Sequence, residues 1–533
     1  MEQYDSPSSD FHSILFDGPT PDLSMQAPAC FHDLNLDLVV NAIAADRKGY
    51  ALESFFYTPL HRLETILYRQ EVFRDMEDPA FKNRIVLFAT AMRNMRRRLP
   101  AEDKTYYKYQ RERFFLEAVD IYWRAVLQLV QDLDAYGYRS SGLTAFHVFL
   151  KHYLASGEFL VLASETSALL GELSTVAYGI YVKDLVVQVR MPGQELDYTQ
   201  EVERLFGKFR HENADSPARA EQDVEGKRGA PMREMLEFPD NDEMNHVEAR
   251  ILDGVASLYP TLFRQLDEYC RQHTGFLEKH ISGFDREIQF YLGWLAYIDR
   301  VKNAGLSFCY PAVSDSEKQV FCTNGFDLAL AHKLTGENRP VICNDMALRG
   351  RERIIIVSGP NQGGKTTFSR MFGQLHYLAA LGLPIPGREA RVFLFDSLFT
   401  HFEREEKAGD LHSKLEDDLI RLHAILEEAT PRSIVILNEI LSSATLQDAI
   451  FLSGKVMLRI DELDAICVWV TFIDEIVGKS DKTISMVSEV HTGQVETRTF
   501  KIIRRDANGL AYAQAIAEKY RVTYTDLKRR WPS

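Results

Sequence analysis

The spacing of apolar residues changes along the chain, and each change predicts a different kind of structure. From residue 31 to about residue 170, apolar residues recur every three or four positions, which is the spacing of one helix face. Residues 111–133 show this spacing clearly, and residues 59–78 add a proline at the predicted helix start. This part of the chain is therefore predicted to be helical.

A narrower apolar seam predicts one long helix over residues 251–269. Its members are spaced by four, three, four, four and three residues: Ile251, Val255, Leu258, Leu262, Leu266 and Tyr269. Such a seam suits packing along a second long helix, and it suits an ordinary helix inside a bundle equally well.

Three stretches depart from the helical pattern. In residues 175–191, β-branched and aromatic residues alternate roughly around a Lys-Asp pair, which predicts a β-hairpin. Residues 209–245 are rich in Gly, Pro, Asp, Glu and Asn, which is typical of a mobile loop or linker. Residues 1–30 are rich in Ser, Pro and Asp and are expected to form a flexible arm.

After about residue 305 the pattern becomes that of an α/β fold. Short apolar, β-branched runs alternate with helical stretches, and the runs are residues 353–359, 390–395, 433–438 and 465–472. This alternation is typical of a parallel sheet covered by helices on both faces. The sequence therefore predicts an α+α/β protein, helical first and mostly parallel sheet afterwards.

Length and composition add bounds to this picture. A chain of 533 residues is too long for one compact core, so two to four domains are expected. Hydrophobic residues make up 45% and charged residues 26%, as in ordinary soluble globular proteins. The six cysteines lie far apart without a C-x-x-C pair, which predicts reduced thiols and neither a zinc site nor a disulfide framework.

The charge disfavours some classes of protein. A formal net charge of −15 disfavours a protein that coats DNA or an anionic membrane with its whole surface, although local basic clusters occur at residues 93–99, 501–505 and 527–531. The N-terminus has no secretory pattern, and no apolar run approaches the roughly 18 residues that span a bilayer. A cytoplasmic protein without membrane contact is expected.

The strongest local motif is the string GPNQGGKTT at residues 359–367. It fits the phosphate-loop pattern G-x-x-x-x-G-K-[ST] between a predicted strand and a predicted helix, which is the context this motif requires. Its glycines allow successive N–H groups to face phosphates, Lys365 can reach the β and γ phosphates, and the Thr366 hydroxyl can bind Mg²⁺. The predicted nucleotide-binding residues are Gly359, Pro360, Asn361, Gln362, Gly363, Gly364, Lys365, Thr366 and Thr367.

The nine residues resemble the phosphate loop of the MutS ATPases of DNA mismatch repair. That family has Gly-Pro-Asn-Met-Gly-Gly-Lys-Ser/Thr-Thr, so this chain departs only at Gln362. Residues 342–348 resemble the family's Asn-Asp-hydrophobe approach to the strand before the loop. Residues 398–419 are similar to the signature loop that delivers a serine to the ATP of the opposite subunit, and Ser413 matches that serine best.

Two further segments carry the resemblance towards the C-terminus. Residues 438–450 align with the family's Asp-Glu-Ile-Gly-Arg-Gly-Thr segment and retain Glu439 and Asp448. Residues 509–522 resemble a C-terminal helix start that supports dimerisation in the family. The resemblance implies a P-loop α/β ATPase domain that uses ATP and Mg²⁺, dimerises with itself and acts on duplex or branched DNA.

The resemblance also assigns roles to single residues. Glu439, Lys365 and Asn438 are the expected catalytic residues, and Thr366, Asn438 and Glu439 the expected Mg²⁺ ligands. Asn438 stands where the family has Asp, so an oxygen acceptor remains but the charge that retains a hard cation is lost. Phe472 stands where the family has a histidine that senses the γ-phosphate. Two weakened positions predict ATP binding with slow hydrolysis.

Five segments follow from the resemblance and the patterns together. They are a flexible arm (1–30), a helical core (31–170), a reduced clamp-like hairpin and loop (171–245), returning lever helices (246–305) and the ATPase and dimerisation domain (306–533). Because only about 30 residues precede the helical core, the family's mismatch-reading domain is expected to be missing.

Three functional hypotheses remain open on the sequence alone. The first is a DNA-associated MutS-like ATPase without mismatch readout. The second is an ATP-gated protein–protein switch with no role on DNA, which the negative charge and the reduced clamp favour. The third is another phosphate-loop enzyme, such as a kinase or a transporter ATPase, and it is disfavoured because no acceptor-site motif accompanies the loop.

Overall fold

The computed structural model describes residues 11–99, 107–183, 186–192, 244–360, 362–403, 414–491, 497–505 and 527–528. The chain divides into two compact units. Unit 1 contains Met1–Lys82, Tyr138–Phe146 and Gly283–Ser533, and unit 2 contains Asn83–Gly137 and His147–Ser282. The first 82 residues thus belong to the same unit as the α/β part of the chain.

Helices supply most of the regular structure among the described residues. In chain order they are α1 (Cys30–Asp33), α2 (Leu36–Ala44), α3 (Glu53–Tyr57), α4 (Leu63–Met76), α5 (Pro79–Arg98), α6 (Lys108–Ala135), α7 (Ser141–Leu154), α8 (Gly157–Ser174), α9 (His246–Leu258), α10 (Pro260–Gln272), α11 (Lys279–Lys302), α12 (Leu328–Gly336), α13 (Lys365–Ala380), α14 (Lys414–Glu428) and α15 (Leu446–Leu463). Two 3-10 segments, Ala45–Tyr50 and Asp474–Lys479, complete the set. Helices α4 and α6 confirm the helices predicted over residues 59–78 and 111–133. No helix in the described part of the chain is both long and apolar enough to cross a bilayer.

The single long helix predicted over residues 251–269 is wrong, because the chain forms two helices there. Helix α9 ends at Leu258 and α10 begins at Pro260, and Tyr259 between them has φ −122° and ψ 56°. A proline disfavours helical geometry in the residue before it and lacks the N–H that would continue the ladder. The apolar seam continues across the break, with Val255 and Leu266 buried.

Unit 2 contains the predicted hairpin. Strands β1 (Gly179–Lys183) and β2 (Val186–Arg190) pair antiparallel, which confirms the prediction. Gly254 on α9 lies so close to β2 that a Cβ there would be 2.8 Å from a methyl of Val189, so a glycine is required at this contact. The expected mobile loop falls almost entirely on residues 193–243, which lie outside the described residues.

The remaining strands belong to unit 1. They are β3 (Phe308–Cys309), β4 (Ala312–Ser314), β5 (Val320–Gly325), β6 (Asn344–Leu348), β7 (Ile354–Ser358), β8 (Ile385–Pro386), β9 (Glu389–Phe393), β10 (Leu398–Phe402), β11 (Ile434–Asn438), β12 (Ile466–Val470), β13 (Thr483–His491) and β14 (Thr497–Arg504). The main sheet has the order β10-β11-β12-β7-β13-β14, and all neighbours are parallel except β13 and β14. The predicted mostly parallel sheet is confirmed.

The three central strands, β7, β11 and β12, are buried along their whole length because helices cover both faces. Val435 and Leu437 belong to an apolar cluster that includes residues of α14 and α15. Ile436, between them, contacts α13 on the other face, where a Cβ on Gly373 would lie 2.8 Å from its Cδ1. This alternation follows from the two-residue period of a strand and explains why β11 is an uninterrupted apolar run.

The run at residues 390–395 forms β9 but does not join the main sheet. It lies in a second sheet of order β4-β9-β5-β6. After α13 the chain first pairs through β8 with β3, where Ile385 opposes Cys309, and this contact places β9 beside β4 and β5. The apolar run predicts a strand, but it carries no information about the partner of that strand.

The N-terminal segment also differs from the flexible arm expected there. Residues 1–10 lie outside the described part of the chain. Phe11, Ile14, Leu15 and Phe16 are at most 4% exposed and pack into unit 1. The short apolar run is sufficient to bury the segment, although the polar composition of its surroundings favours a loose arm.

Candidate functional site

A glycine-rich loop connects β7 to α13, and its backbone depends on glycine. Gly359 and Gly364 have φ values of 122° and 92°, which residues with a Cβ rarely adopt. Ser488 on the neighbouring strand β13 donates its hydroxyl to the Gly363 carbonyl at 2.8 Å. A Cβ on Gly363 would lie 2.4 Å from that hydroxyl oxygen. The loop is therefore held by strand β13 as well as by its own two ends.

The loop ends at the N-terminus of α13, where Lys365 is the first helical residue. The first turn of a helix has unpaired N–H groups and a partial positive charge, which together favour an anion. Gln362 adopts a left-handed conformation with φ 59°. Asn361 lies outside the described residues, and the other eight predicted residues lie in the loop or in the first turn of α13.

Lys365 is the most buried cation of the site, with 3% of its surface exposed. Its Nζ donates to the carbonyl oxygens of Gly359 at 2.8 Å and Pro360 at 3.3 Å. The same atom lies 3.6 Å from Glu439 Oε1 and 3.9 Å from the centre of the Phe472 ring. Burial lowers the pKa of Lys365, and the Glu439 carboxylate opposes that shift. The ammonium group is therefore desolvated and attracts anions strongly.

Asn438 and Thr366 face each other at the carboxyl end of β11. The Thr366 hydroxyl donates to the Asn438 amide oxygen at 3.2 Å. Together with the Glu439 carboxylate, these groups form a set of oxygen atoms at one edge of the sheet. Oxygen atoms of this kind are the donors that Mg²⁺ prefers, so the three residues fit a magnesium site, with Glu439 as the one anionic member.

The turn after β11 is strained and is held from two sides. Glu439 and Leu441 have φ values of 54° and 61°, which are unfavourable for residues with a Cβ. The Glu439 N–H donates to Val470 O at 2.9 Å, and the Leu441 N–H donates to Asp418 Oδ2 at 3.3 Å. The other oxygen of Asp418 lies 2.8 Å from Nε2 of the fully buried His401. These contacts fix the backbone that carries the Glu439 side chain.

A cavity of about 390 Å³ lies beside the glycine-rich loop. One wall is apolar and consists of Leu330, Leu334, Val341, Ile342 and Phe500, while Lys333 and Arg339 add positive charge. Thr367 and Glu439 also line the cavity, so it is continuous with the loop. A mixed wall and a volume of this size suit a small organic ligand that carries an anionic group.

The structure does not place Ser413 or Asp448 in the candidate site. Ser413, the expected contributor to a second nucleotide site, lies outside the described residues, and its role stays a prediction. Asp448 supports the N-cap of α15, because the cap residue Thr445 donates its hydroxyl to Asp448 Oδ2 at 2.6 Å and accepts the Asp448 N–H. Its retention is thus explained by local helix capping.

Sequence reasoning missed two contributors to the site. Ser488 lies within β13, where nothing in the neighbouring sequence distinguishes it. Asp418 lies in an acidic stretch at the start of α14, which resembles solvated helix surface. Both contact segments that are distant along the chain, since 23 residues separate Asp418 from Leu441 and 125 separate Ser488 from Gly363. Only the topology identifies them.

Known proteins resemble this chain in the same region. A family model for MutS domain V matches residues 355–519. The DNA mismatch repair protein MutS of Orientia tsutsugamushi (strain Ikeda) is 27% identical over 228 residues, which are 42% of this chain and 25% of that protein. MutS of Halalkalibacterium halodurans is 27% identical over 268 residues, 48% of this chain and 29% of that protein. Mouse Msh3 is 28% identical over 144 residues, 27% of this chain and 13% of that protein.

The matched region coincides with the candidate site. It begins within β7 and includes the glycine-rich loop, α13, β11 and β12. The chain spans about a quarter of the length of the first MutS relative, so the relationship rests on this part of the molecule. Residues 355–519 of this chain are therefore similar to domain V of the MutS proteins.

Proposed function

We propose that this chain binds ATP with Mg²⁺ at the glycine-rich loop and hydrolyses the ATP slowly. The observation that carries the proposal is the convergence of Lys365, Thr366, Asn438 and Glu439 beside a cavity of about 390 Å³. The loop and helix N-terminus supply N–H donors, and the lysine supplies positive charge. This arrangement matches a triphosphate better than a neutral ligand.

Lys365 is proposed to exchange its present partners for phosphate oxygens. Two of those partners are carbonyl oxygens of the loop itself, and the third is Glu439 at 3.6 Å. A phosphate is a stronger partner than a carbonyl because its charge strengthens the hydrogen bond. The exchange also releases Glu439 to orient a water molecule or accept a proton.

Thr366, Asn438 and Glu439 are the residues that would hold Mg²⁺. The ion supplies positive charge that neutralises the phosphates. Asn438 offers a neutral amide oxygen, and a neutral ligand retains a hard dication less well than a carboxylate. Beside Lys365, Phe472 presents an aromatic ring, which cannot donate a hydrogen bond to phosphate. Both features support slow turnover.

We further propose that the protein acts as a nucleotide-switched homodimer in the cytoplasm, joined through its C-terminal region. Leu446, Phe451 and Leu458 on α15 are 66%, 63% and 49% exposed, and exposed apolar side chains of this size favour a protein contact. The names of the relatives refer to DNA mismatch repair. The proposed target is therefore duplex or branched DNA, bound without direct readout of a mismatch.

The alternative is an ATP-gated protein–protein switch with no role on DNA. The net charge of −15 favours this alternative, because most of the surface would repel a polyanion. Both functions share the ATP site and the dimer, and they differ only in what the dimer binds.

Gel-shift assays with plain, mismatched and branched duplexes, with and without ATP, separate the two functions. The DNA function predicts salt-sensitive binding that ATP changes, without preference for the mismatched duplex. A measurement of molecular mass on the same samples is expected to show a dimer. No DNA binding at low salt, with ATP-dependent dimerisation retained, would establish the protein switch instead. No ATP binding at all would overturn both functions.

A further inference from the structure

Residues 11–17 lie in a groove of unit 1 whose side chains recognise their backbone. Three donors reach three consecutive carbonyl oxygens: Tyr68 to Ser13 at 2.7 Å, Tyr291 to Ile14 at 2.6 Å and Arg69 to Leu15 at 2.8 Å. Arg69 is fully buried, and Tyr291 is equally inaccessible. Buried side chains that bind successive backbone groups are typical of a site built to hold a peptide segment.

Glu287 supplies the hydrogen-bond acceptors of the groove. Its two carboxylate oxygens accept the Ser13 hydroxyl at 2.7 Å and the Ile14 N–H at 2.8 Å. Only 8% of Glu287 is exposed, and both of these donors belong to the segment. A buried carboxylate without donors is costly, so the groove depends on the segment as much as the segment depends on the groove.

Apolar anchors at both ends of the segment add to these polar contacts. The Phe11 ring lies 4.9 Å from that of Phe146, between ring centres. At the other end, the Arg69 guanidinium lies 4.8 Å from the centre of the Phe16 ring. The segment finishes at Asp17, whose carboxylate accepts the Thr65 hydroxyl at 2.6 Å. Two aromatic anchors around a hydrogen-bonded centre resemble a short docking motif.

Arg69 connects this groove to the helix of the candidate nucleotide site. Besides Leu15, its guanidinium donates to Leu381 O at 3.0 Å, directly after the end of α13. The neighbouring Gly382 has φ 75°, and a Cβ there would lie 2.8 Å from Arg69 Cβ. One guanidinium therefore binds both the N-terminal segment and the last turn of the helix that begins at the glycine-rich loop.

We propose that residues 11–17 are a docking motif held in cis by a peptide-binding groove of unit 1, and that the docked motif fixes the C-terminal turn of α13. The occupant is the chain's own segment. When the segment leaves, Glu287 loses both donors and Arg69 loses one of its two carbonyl partners. The remaining carbonyl partner of Arg69 is Leu381, so the α13 turn then loses its link through Arg69 to residues 11–17.

The experiment uses the full chain with a protease site inserted among the exposed residues 19–22. After cleavage, the N-terminal fragment is expected to remain bound through gel filtration. An excess of a labelled synthetic peptide of residues 11–18 then exchanges into the groove. Tyr291→Phe in the protein removes the hydrogen bond to Ile14 O, and Ser13→Ala in the peptide removes the bond to Glu287 together with the two that the Ser13 hydroxyl accepts from the Leu15 and Phe16 N–H groups. Each change is expected to weaken peptide binding at least about tenfold. Arg62→Gln, at an exposed ion pair with Asp17, is the matched control and is expected to change binding by less than about threefold.

Hydrogen exchange gives a second measurement that does not depend on cleavage or on ATP. In uncut chains, Tyr291→Phe and Ser13→Ala are expected to speed amide exchange at Leu381 and Gly382 about tenfold, and Arg62→Gln is not. Loss of the fragment on cleavage, with unchanged exchange at these amides, would overturn the proposal. Peptide binding that is indifferent to Tyr291→Phe and Ser13→Ala would overturn it as well. Neither result bears on whether the protein binds ATP.

Discussion

Among the described residues of unit 1, the cations Lys365 and Arg69 are buried and have nearly the same kinds of partner. Lys365 is 3% exposed and contacts two backbone carbonyls and one aromatic ring. Arg69 is 0% exposed and contacts two backbone carbonyls and two aromatic rings. Burial lowers the pKa of both side chains, that of Arg69 to about 10. By burial and bonding alone, the two positions are equivalent.

Their surroundings differ, and the difference indicates their roles. Lys365 lines a cavity of about 390 Å³, and its carboxylate partner Glu439 lies at 3.6 Å, beyond good hydrogen-bond distance. Arg69 is enclosed by the chain, and its guanidinium is bonded to the N-terminal segment at Leu15 and to Leu381, directly after α13. A buried cation that faces a cavity can exchange its partners for a ligand. One that is enclosed holds segments of the chain together.

The largest expected effect is that of Lys365→Met on ATP binding. Removing a desolvated charge that contacts phosphate is expected to weaken ATP affinity about 100-fold. The free energy of unfolding should fall less than in Arg69→Met, because Lys365 and Glu439 line a cavity in which water can replace the lost partner. Equilibrium binding of a fluorescent ATP analogue and thermal unfolding measure the two quantities. Unchanged ATP affinity in Lys365→Met would show that Lys365, like Arg69, does not bind the nucleotide.

Arg69→Met is expected to have the opposite profile. It leaves the carbonyl oxygens of Leu15 and Leu381 without these donors, so the free energy of unfolding should fall by about 3 kcal/mol. ATP affinity of the folded fraction should stay within about threefold of wild type. Arg62→Met, at a surface ion pair with Asp17, is the matched control and should cost less than about 1 kcal/mol in denaturant unfolding. Equal costs for the two variants would contradict the enclosed role of Arg69.

The groove around Arg69 should also respond to pH through Glu287. Burial raises the pKa of Glu287 from 4.5 to about 7, against the opposing effects of Ser13, Ile14, Arg69 and Arg286. Since the pKa is higher in the folded state, the folded chain binds the proton more tightly. Stability from this group is therefore complete below about pH 4.5 and is lost as pH rises through about 7.

Glu287→Gln removes this dependence. Between pH 5 and pH 8 the wild-type free energy of unfolding should fall by about 2 kcal/mol more than that of the variant. Tyr68 and Tyr291, which also face Glu287, stay protonated over this range because burial raises the pKa of both side chains. Denaturant unfolding at several pH values measures the difference. Parallel curves for the two proteins would show that Glu287 does not titrate in the groove.

The smallest expected effect concerns the metal edge of the Lys365 site. Asn438→Asp adds a carboxylate beside the Thr366 hydroxyl, so the Mg²⁺ concentration that half-saturates ATP hydrolysis should fall about tenfold or less. Titration of hydrolysis with Mg²⁺ measures this directly. The same Mg²⁺ requirement in both proteins would place residue 438 outside the metal shell.

The parts of the site that the sequence predicts are those whose pattern is local. The glycine-rich loop is predictable because strand, glycines, lysine and helix follow one another within about 20 residues. Asn438 and Glu439 are predictable because an apolar strand ends directly before them. The contacts of Ser488 with the loop and of Asp418 with Leu441 join distant segments, and no local pattern indicates them.

Periodicity and composition fail in the same way elsewhere in the fold. The apolar seam over residues 251–269 continues across Pro260, so spacing alone does not show that the helix is broken there. The polar composition of residues 1–30 hides the buried Phe11 and the buried residues 13–16. Strand β9 has the residues of a central strand, but its neighbours are set by the pairing of β8. In each case the local structure depends on a tertiary contact or on a single residue, and neither is visible in the average composition or apolar spacing of the segment.

Glu439→Gln tests the central claim most directly, since Glu439 is the partner that Lys365 must release. The measurement is single-turnover hydrolysis of ATP beside equilibrium ATP binding, in wild type and variant. We expect ATP affinity to stay within about threefold while the hydrolysis rate, already low in wild type, falls by about 100-fold. Hydrolysis at the wild-type rate in Glu439→Gln would contradict the account.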